Sequence, residues 1–131
     1  MKPFFSVVIP TYNRACKLKR ALETVLNQSF DNFEILVMDD GSTDNTAEVV
    51  DSFSDLRIIY SWDVNFGGPA RPRNRGIAIA KGQWVCFLDA DDWWSPDKLQ
   101  VCFDCINDNV DLVYHDMEIV TDKNKSFRRK I

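Results

Sequence analysis

Two stretches decide the fold: Phe5-Ser6-Val7-Val8-Ile9-Pro10-Thr11-Tyr12-Asn13-Arg14 and Phe33-Glu34-Ile35-Leu36-Val37-Met38-Asp39-Asp40-Gly41. Each begins as an apolar run of strand length and breaks off into polar residues, the pattern of a strand buried in a sheet. Between them, Leu18, Leu22, Val25 and Leu26 stand at i, i+4, i+7 and i+8, which predicts a helix over residues 15–28 with one apolar face.

The same alternation continues. Ser42, Thr43 and Asp44 read as cap and first-turn residues of a short helix reaching about Phe53. Leu56–Tyr60 reads as a third strand, and residues 65–72, rich in Gly and Pro, as the most loop-like segment. A helix is expected from Asn74 to Lys81, closed by Gly82 at its C′ position. Gln83–Leu88 reads as a strand ending in Asp89-Ala90-Asp91-Asp92, with Trp84 and Phe87 in the core. Ser95-Pro96 opens a helix with Leu99, Cys102, Phe103 and Ile106 inward, and a last strand lies near Leu112–Tyr114, with an end as late as Val120. The basic tail from Lys123 to Lys130 is expected to fray.

Strands alternating with helices imply an α/β domain: a mostly parallel sheet with helices on both faces. In such sheets ligands bind beyond the carboxyl ends of the strands. Three strands end in polar clusters, Thr11-Tyr12-Asn13-Arg14, Asp39-Asp40-Gly41 and Asp89-Ala90-Asp91-Asp92, and parallel strands would bring all three to one rim.

Composition narrows the function. The chain has 131 residues, 45% hydrophobic and 27% charged, which suits one globular domain and excludes disorder. Sixteen Lys and Arg against twenty Asp and Glu give a net charge of −4, a poor match to a nucleic-acid partner. No apolar run approaches a membrane span or a signal-peptide core, and the four cysteines read as reduced thiols, so a cytoplasmic setting is expected. Cys102 and Cys105 have C-x-x-C spacing but lie inside an amphipathic helix, where core packing of Cys102 is the better account.

At the rim, Asp89, Asp91 and Asp92 are hard oxygen donors suited to Mg²⁺ or Mn²⁺, and the single His115 cannot build a zinc site. Favourable placement before a helix explains the same acids as well. Magnesium-type sites commonly combine one or two carboxylates with substrate phosphates, which points to a nucleotide. Asp39-Asp40-Gly41-Ser42 fits a plain turn, or a carboxylate receiving a nucleobase or ribose donor. Tyr12 offers a face on which a base can stack. Neither a G-x-G-x-x-G nor a G-x-x-x-x-G-K-[ST] motif is present.

Taken in order, Val7–Arg14, Val37–Asp44, Arg73-Asn74-Arg75-Gly76-Ile77, Gly82-Gln83-Trp84-Val85 and Leu88–Asp92 resemble family 2 glycosyltransferases, which have the GT-A (Rossmann-like) fold. The resemblance runs from about residue 5 to about residue 115, and Trp93–Leu99 also follows the family's pattern. It implies transfer of a sugar from a nucleotide-diphosphate donor, a UDP-sugar, to a saccharide or lipid-linked acceptor, with inversion and metal assistance. Pro10, Thr11 and Tyr12 would border the uracil, with Arg14 beside them; Asp39 and Asp40 would meet base or ribose. Asp89 would face the ribose or sugar and share with Asp91, of the D-x-D motif, the binding of Mg²⁺ or Mn²⁺. Arg73 or Arg75 would lie near the nucleotide, with Arg71 a third candidate.

The family's general base comes from the second half of its domain, so the base is expected beyond Ile131 and the chain is read as a single nucleotide-sugar-binding domain, shorter than a full catalytic domain. For a bacterial source the family implies polysaccharide, lipopolysaccharide or capsule assembly, at the inner face of the membrane. The competing readings are a non-catalytic nucleotide-sugar-binding module and an aspartyl phosphotransferase. The second expects Thr or Val soon after the second Asp, where this chain has Asp92-Trp93-Trp94.

Overall fold

The computed structural model describes residues 2–121 and 126–129. Its elements run β1 (Phe5–Thr11), α1 (Ala15–Leu26), β2 (Phe33–Asp39), α2 (Thr46–Asp51), β3 (Ile58–Trp62), α3 (Ala70–Ile79), β4 (Trp84–Phe87), α4 (Lys98–Cys105), β5 (Met117–Val120) and β6 (Ser126–Arg129). The chain forms two compact units, Met1–Leu99 and Gln100–Ile131.

In the first unit four strands make a wholly parallel sheet in the order β3-β2-β1-β4. From β1 the chain steps to β2 and β3 in one direction, then returns across the sheet to place β4 on the other side of β1. Right-handed crossovers therefore put α1 and α2 on one face and α3 on the other. Side-chain alternation sorts the core accordingly. Val8, Leu36 and Met38 face the α3 side, with Ala80 and Val85 against them. Phe5, Val7, Ile9, Ile35 and Val37 are buried on the opposite side, as are Leu18, Leu22 and Val25 of α1.

One polar network is built into this core. Glu34 Oε1 accepts hydrogen bonds from Ser6 Oγ (2.6 Å) and the Lys81 amide (2.7 Å), and Ser6 Oγ accepts from the Gly82 amide (2.8 Å). It joins the start of β4 to β1 and β2. Gly82 is therefore not the helix C′ residue expected of it, since α3 ends three residues earlier. A Cβ there would stand 2.6 Å from Ser6 N.

Other boundaries also moved. Helix α3 begins at Ala70 rather than Asn74 and so includes Pro72. Pro72 stands in the first turn, where an amide hydrogen has no helical acceptor and its loss is harmless. Helix α2 begins at Thr46: Ser42 and Thr43 bond to the β1–α1 loop, and Asp44, tied to that loop as well, accepts from the Thr46 amide at the start of the helix. Strand β3 begins at Ile58; Leu56, read as its start, is fully exposed. Phe87 is 47% exposed and Trp84 only partly buried, because β4 is the sheet's edge.

In the second unit, Leu112 and Tyr114 are exposed and outside any strand; the chain instead pairs β5 with β6 in an antiparallel ribbon. Cys102 is buried, as expected, while Cys105 is exposed. His115 is also exposed, with Nδ1 2.8 Å from the Asp116 carbonyl oxygen. Lys123, Lys125 and Lys130 of the basic tail lie outside the described residues. Among the described residues no helix is long and apolar enough to cross a membrane.

Candidate functional site

The strand order reverses at β1, so the sheet has its switch point between β1 and β4. A cleft of about 470 Å³ opens there, walled by Pro10 and Thr11 of β1 and Tyr12 after it, Asp40 after β2, Gly67 and Gly68 after β3, Arg73 of α3, and Asp89, Ala90 and Asp91 after β4. All three polar clusters foreseen at the rim do converge on it.

The β1 and β2 loops are tied together. Asn13, held at φ +48°, accepts from the amides of Thr43 (2.8 Å) and Asp44 (3.3 Å) through Oδ1, and its own amide donates to Ser42 Oγ (2.9 Å). Asp44 accepts from the Thr46 amide and hydroxyl and from the Ala15 amide. Partial burial works against its charge, but these hydrogen bonds outweigh it and hold its pKa below the ordinary carboxylate value.

Asp39 and Asp40 part company. Asp39 is wholly buried; its carboxylate accepts from the Ser42 amide (2.8 Å) and from the Tyr60 hydroxyl, and it is absent from the cleft wall. Burial first, then this bond to a carboxylate, push the Tyr60 pKa up. Asp40 does border the cleft, yet its carboxylate is turned to the chain: it accepts from the amides of Phe66 and Gly67 (both 3.1 Å) and from Asn65 Nδ2 (3.3 Å). Gly41 at φ +84° allows this approach, since a Cβ there would lie 2.5 Å from Asn65 N.

The three arginines of α3 separate in the same way. Arg71 and Arg75, four residues apart, share one side and both reach Asp63, at 3.1 and 3.8 Å. Arg75 also donates to the carbonyls of Asp39 and Ser61. Arg73 alone enters the cleft wall, where it pairs with Asp89 Oδ1 at 2.6 Å. Two polar atoms there, Arg73 Nε and Thr11 Oγ1, are buried without a hydrogen-bond partner. Arg14 is exposed at the mouth, and Tyr12 is 48% exposed.

Carboxylate oxygens of Asp89, Asp91 and Asp92 lie within 4.8 Å of one another. Burial, then repulsion from Asp91 and Asp89, raise the Asp92 pKa, with Arg20 acting in the opposite sense. An all-oxygen donor set with mutual repulsion fits a hard divalent cation such as Mg²⁺ or Mn²⁺. Trp93, beside these acids, lies under the Arg20 guanidinium at 3.8 Å, and Trp94 under the Lys98 ammonium at 5.1 Å. Sequence reading did not single out Asn65 or Arg20. The first follows a strand end and the second stands on the polar side of a helix, positions that carry no motif.

A parallel α/β sheet with an acidic loop and a cleft at its switch point defines a domain of the GT-A fold. The family model for glycosyl transferase family 2 matches residues 6–131, and the chain belongs to that family. It is 34% identical over 120 residues to the Escherichia coli UDP-Glc:alpha-D-GlcNAc-diphosphoundecaprenol beta-1,3-glucosyltransferase WfgD, covering 91% of this chain and 47% of that one. Staphylococcus aureus TarS 1–349 in complex with UDP-GlcNAc superposes with a TM-score of 0.74 at 36% identity, over 79% of this chain and 30% of that one. The Pyrobaculum calidifontis mannosyltransferase PcManGT, in complex with GDP-Man and Mn²⁺, gives 0.68 at 29% identity, over 76% and 31%. The chain spans less than half the length of these curated relatives and structures.

Proposed function

We propose that this chain is the donor-binding domain of a glycosyltransferase, taking a UDP-sugar into the switch-point cleft for transfer to a saccharide or lipid-linked acceptor. The observation that carries the reading is the meeting, in one cleft, of an exposed aromatic ring (Tyr12), a half-buried cation (Arg73) and an all-oxygen acid cluster. The WfgD name, with its UDP-Glc donor and diphosphoundecaprenol-linked acceptor, and the UDP-GlcNAc complex of TarS favour this donor and acceptor. A lipid-linked acceptor in turn suits a place at the cytoplasmic face of a membrane and a part in cell-envelope polysaccharide assembly.

Each group has a task. The Tyr12 ring stacks on the uracil, a contact of about 1–3 kcal/mol, and Thr11 Oγ1 supplies a hydroxyl to the bound nucleotide. Arg73 holds Asp89 against the cleft wall and adds positive charge where the diphosphate lies. Asp91 and Asp89 hold Mg²⁺ or Mn²⁺, a choice favoured by the Mn²⁺ complex of PcManGT. When bound, the ion offsets charge on the departing diphosphate as a Lewis acid. With inversion, the acceptor oxygen bonds to the anomeric carbon as the bond to the UDP oxygen breaks. The pair of electrons leaves with UDP, and the acceptor proton passes to a base outside the residues of this cleft.

Calorimetric titration with UDP, in Mn²⁺ and in EDTA, tests the reading. Binding is expected in both and tighter with the metal. Equal affinity in the two buffers would remove the metal from the site, and no binding in either would overturn the donor assignment.

A further inference from the structure

Helix α1 carries a polar stripe that the proposed chemistry does not use. Arg20, Thr24 and Gln28 follow one another at four-residue spacing; the first two share a side of α1, and the third, just after it, reaches the same neighbouring segment. Each bonds the segment that follows β4. Arg20 Nη2 donates to the Asp91 carbonyl oxygen (3.2 Å), and its guanidinium carbon lies over the Trp93 ring, 3.8 Å from the centroid. Thr24 Oγ1 accepts from the Trp94 amide (3.2 Å) while donating to Ala21 O (2.9 Å). Gln28 donates through Nε2 to Ser95 O (2.6 Å) and accepts at Oε1 from the Leu99 amide (2.9 Å). The Ser29 amide adds a bond to Pro96 O (2.9 Å).

These bonds all hold main chain, except for the stacked Trp93 ring. They do not engage the carboxylates of Asp91 and Asp92, while fixing the backbone from which these project. Three carboxylates within 4.8 Å repel one another, and without a restraint the loop would relax by moving them apart. Arg73 restrains Asp89 from the cleft side. Arg20 restrains Asp91 from the helix side through its carbonyl oxygen, so that its side chain remains available.

We infer that the α1 stripe is a positioning device for the acid loop, and that Arg20 is its decisive member, setting Asp91 for the metal and diphosphate without touching either. The inference rests on the donor-binding reading above and adds to it a residue that acts on the site through another. Partners of this outer kind, when removed, typically lower metal affinity by about 10–100-fold.

The test uses the chain of 131 residues and its Arg20→Ala, Arg20→Lys and Thr24→Val variants. Arg20 is exposed, so its variants are expected to fold and to keep the wild-type melting temperature without metal. Calorimetry with UDP should show affinity in Mn²⁺ falling about 10-fold in Arg20→Ala, with affinity in EDTA unchanged. Arg20→Lys keeps the charge but loses the planar stack and the fork, and should recover less than half of that loss. Hydrogen exchange should quicken at residues 91–94 in Arg20→Ala and Thr24→Val alike.

Wild-type affinity in Arg20→Ala, or full recovery in Arg20→Lys, would overturn the inference; the second result would mean that charge alone matters. Equal losses in Mn²⁺ and EDTA would overturn it too, as a general structural effect. If the wild-type chain bound no UDP, the donor reading would fail. Unchanged exchange at residues 91–94 would, by itself, refute the positioning role.

Discussion

Replacing Asp40 by Ala removes the acceptor around which residues 65–67 turn. Two amides at 3.1 Å and the Asn65 side chain at 3.3 Å lose a charged partner. Hydrogen bonds to a charged group contribute about 1.5–3 kcal/mol each. Asn65, Phe66 and Gly67 are exposed, so the freed donors turn to water and most of that sum is recovered. A net loss of about 2 kcal/mol remains, which at a urea m-value of about 2 kcal/mol/M moves the midpoint down by about 1 M. UDP affinity should fall with it, because Gly67 and Gly68 line the cleft. Asp40→Asn retains one acceptor oxygen and should fall between the two. Urea titration and hydrogen exchange over residues 65–68 check this. A midpoint and an exchange pattern both like wild type would show that the loop is held by something other than Asp40.

Asp91→Ala should abolish the effect of Mn²⁺ on UDP binding while leaving the metal-free melting temperature unchanged or slightly raised, since it relieves repulsion within the acid cluster; a marked fall in melting temperature would make Asp91 structural. Gly82→Ala should cost about 1–3 kcal/mol in urea unfolding, because its Cβ meets the backbone of Ser6, which cannot yield as a side-chain tip can. For Asp44, whose folded pKa is depressed, the stabilisation is present above the ordinary value of 3.8 and is lost as pH falls through the lower folded value. Asp44→Asn should therefore be less stable than wild type at pH 7, with the difference shrinking in acid; a constant difference measured by melting between pH 7 and pH 2.5 would contradict the assignment.

The strands were the legible part of this chain. Apart from Ser6 and Glu34, β1 and β2 are apolar up to their ends, which burial on both faces explains, and their polar ends mark the cleft directly. The two adjacent acids after β2 were not legible individually. Asp39 shares a face with Val37, and with Tyr60 opposite Val37, whereas Asp40 follows on the other side. One step along a strand reverses the side chain, and no residue type records which step lies at the rim. The arginines would have sorted themselves had α3 been started at Ala70: residues 71 and 75 share a side and 73 faces away. Pro72 concealed this, because proline in a sequence reads as loop while in a first turn it is compatible with helix. The four-residue stripe from Arg20 to Gln28 was visible as spacing, but polar residues on a helix usually face water, and only the return of the chain after β4 gives them partners.

The position of β1 between β2 and β4 has a consequence for the order in which the molecule is made. As the chain emerges from the ribosome, β1, α1, β2 and β3 can assemble at once, but one edge of β1 stays open until β4, far downstream, arrives to cover Phe5–Val8. That edge is apolar and extended, the kind of template that recruits other strands. The acid loop follows β4 directly, so the cleft is completed by the same event that closes the edge. The cleft is thus complete only once β4 has been made, and a nucleotide or cation bound there would hold that strand in place and draw the nascent chain away from aggregation.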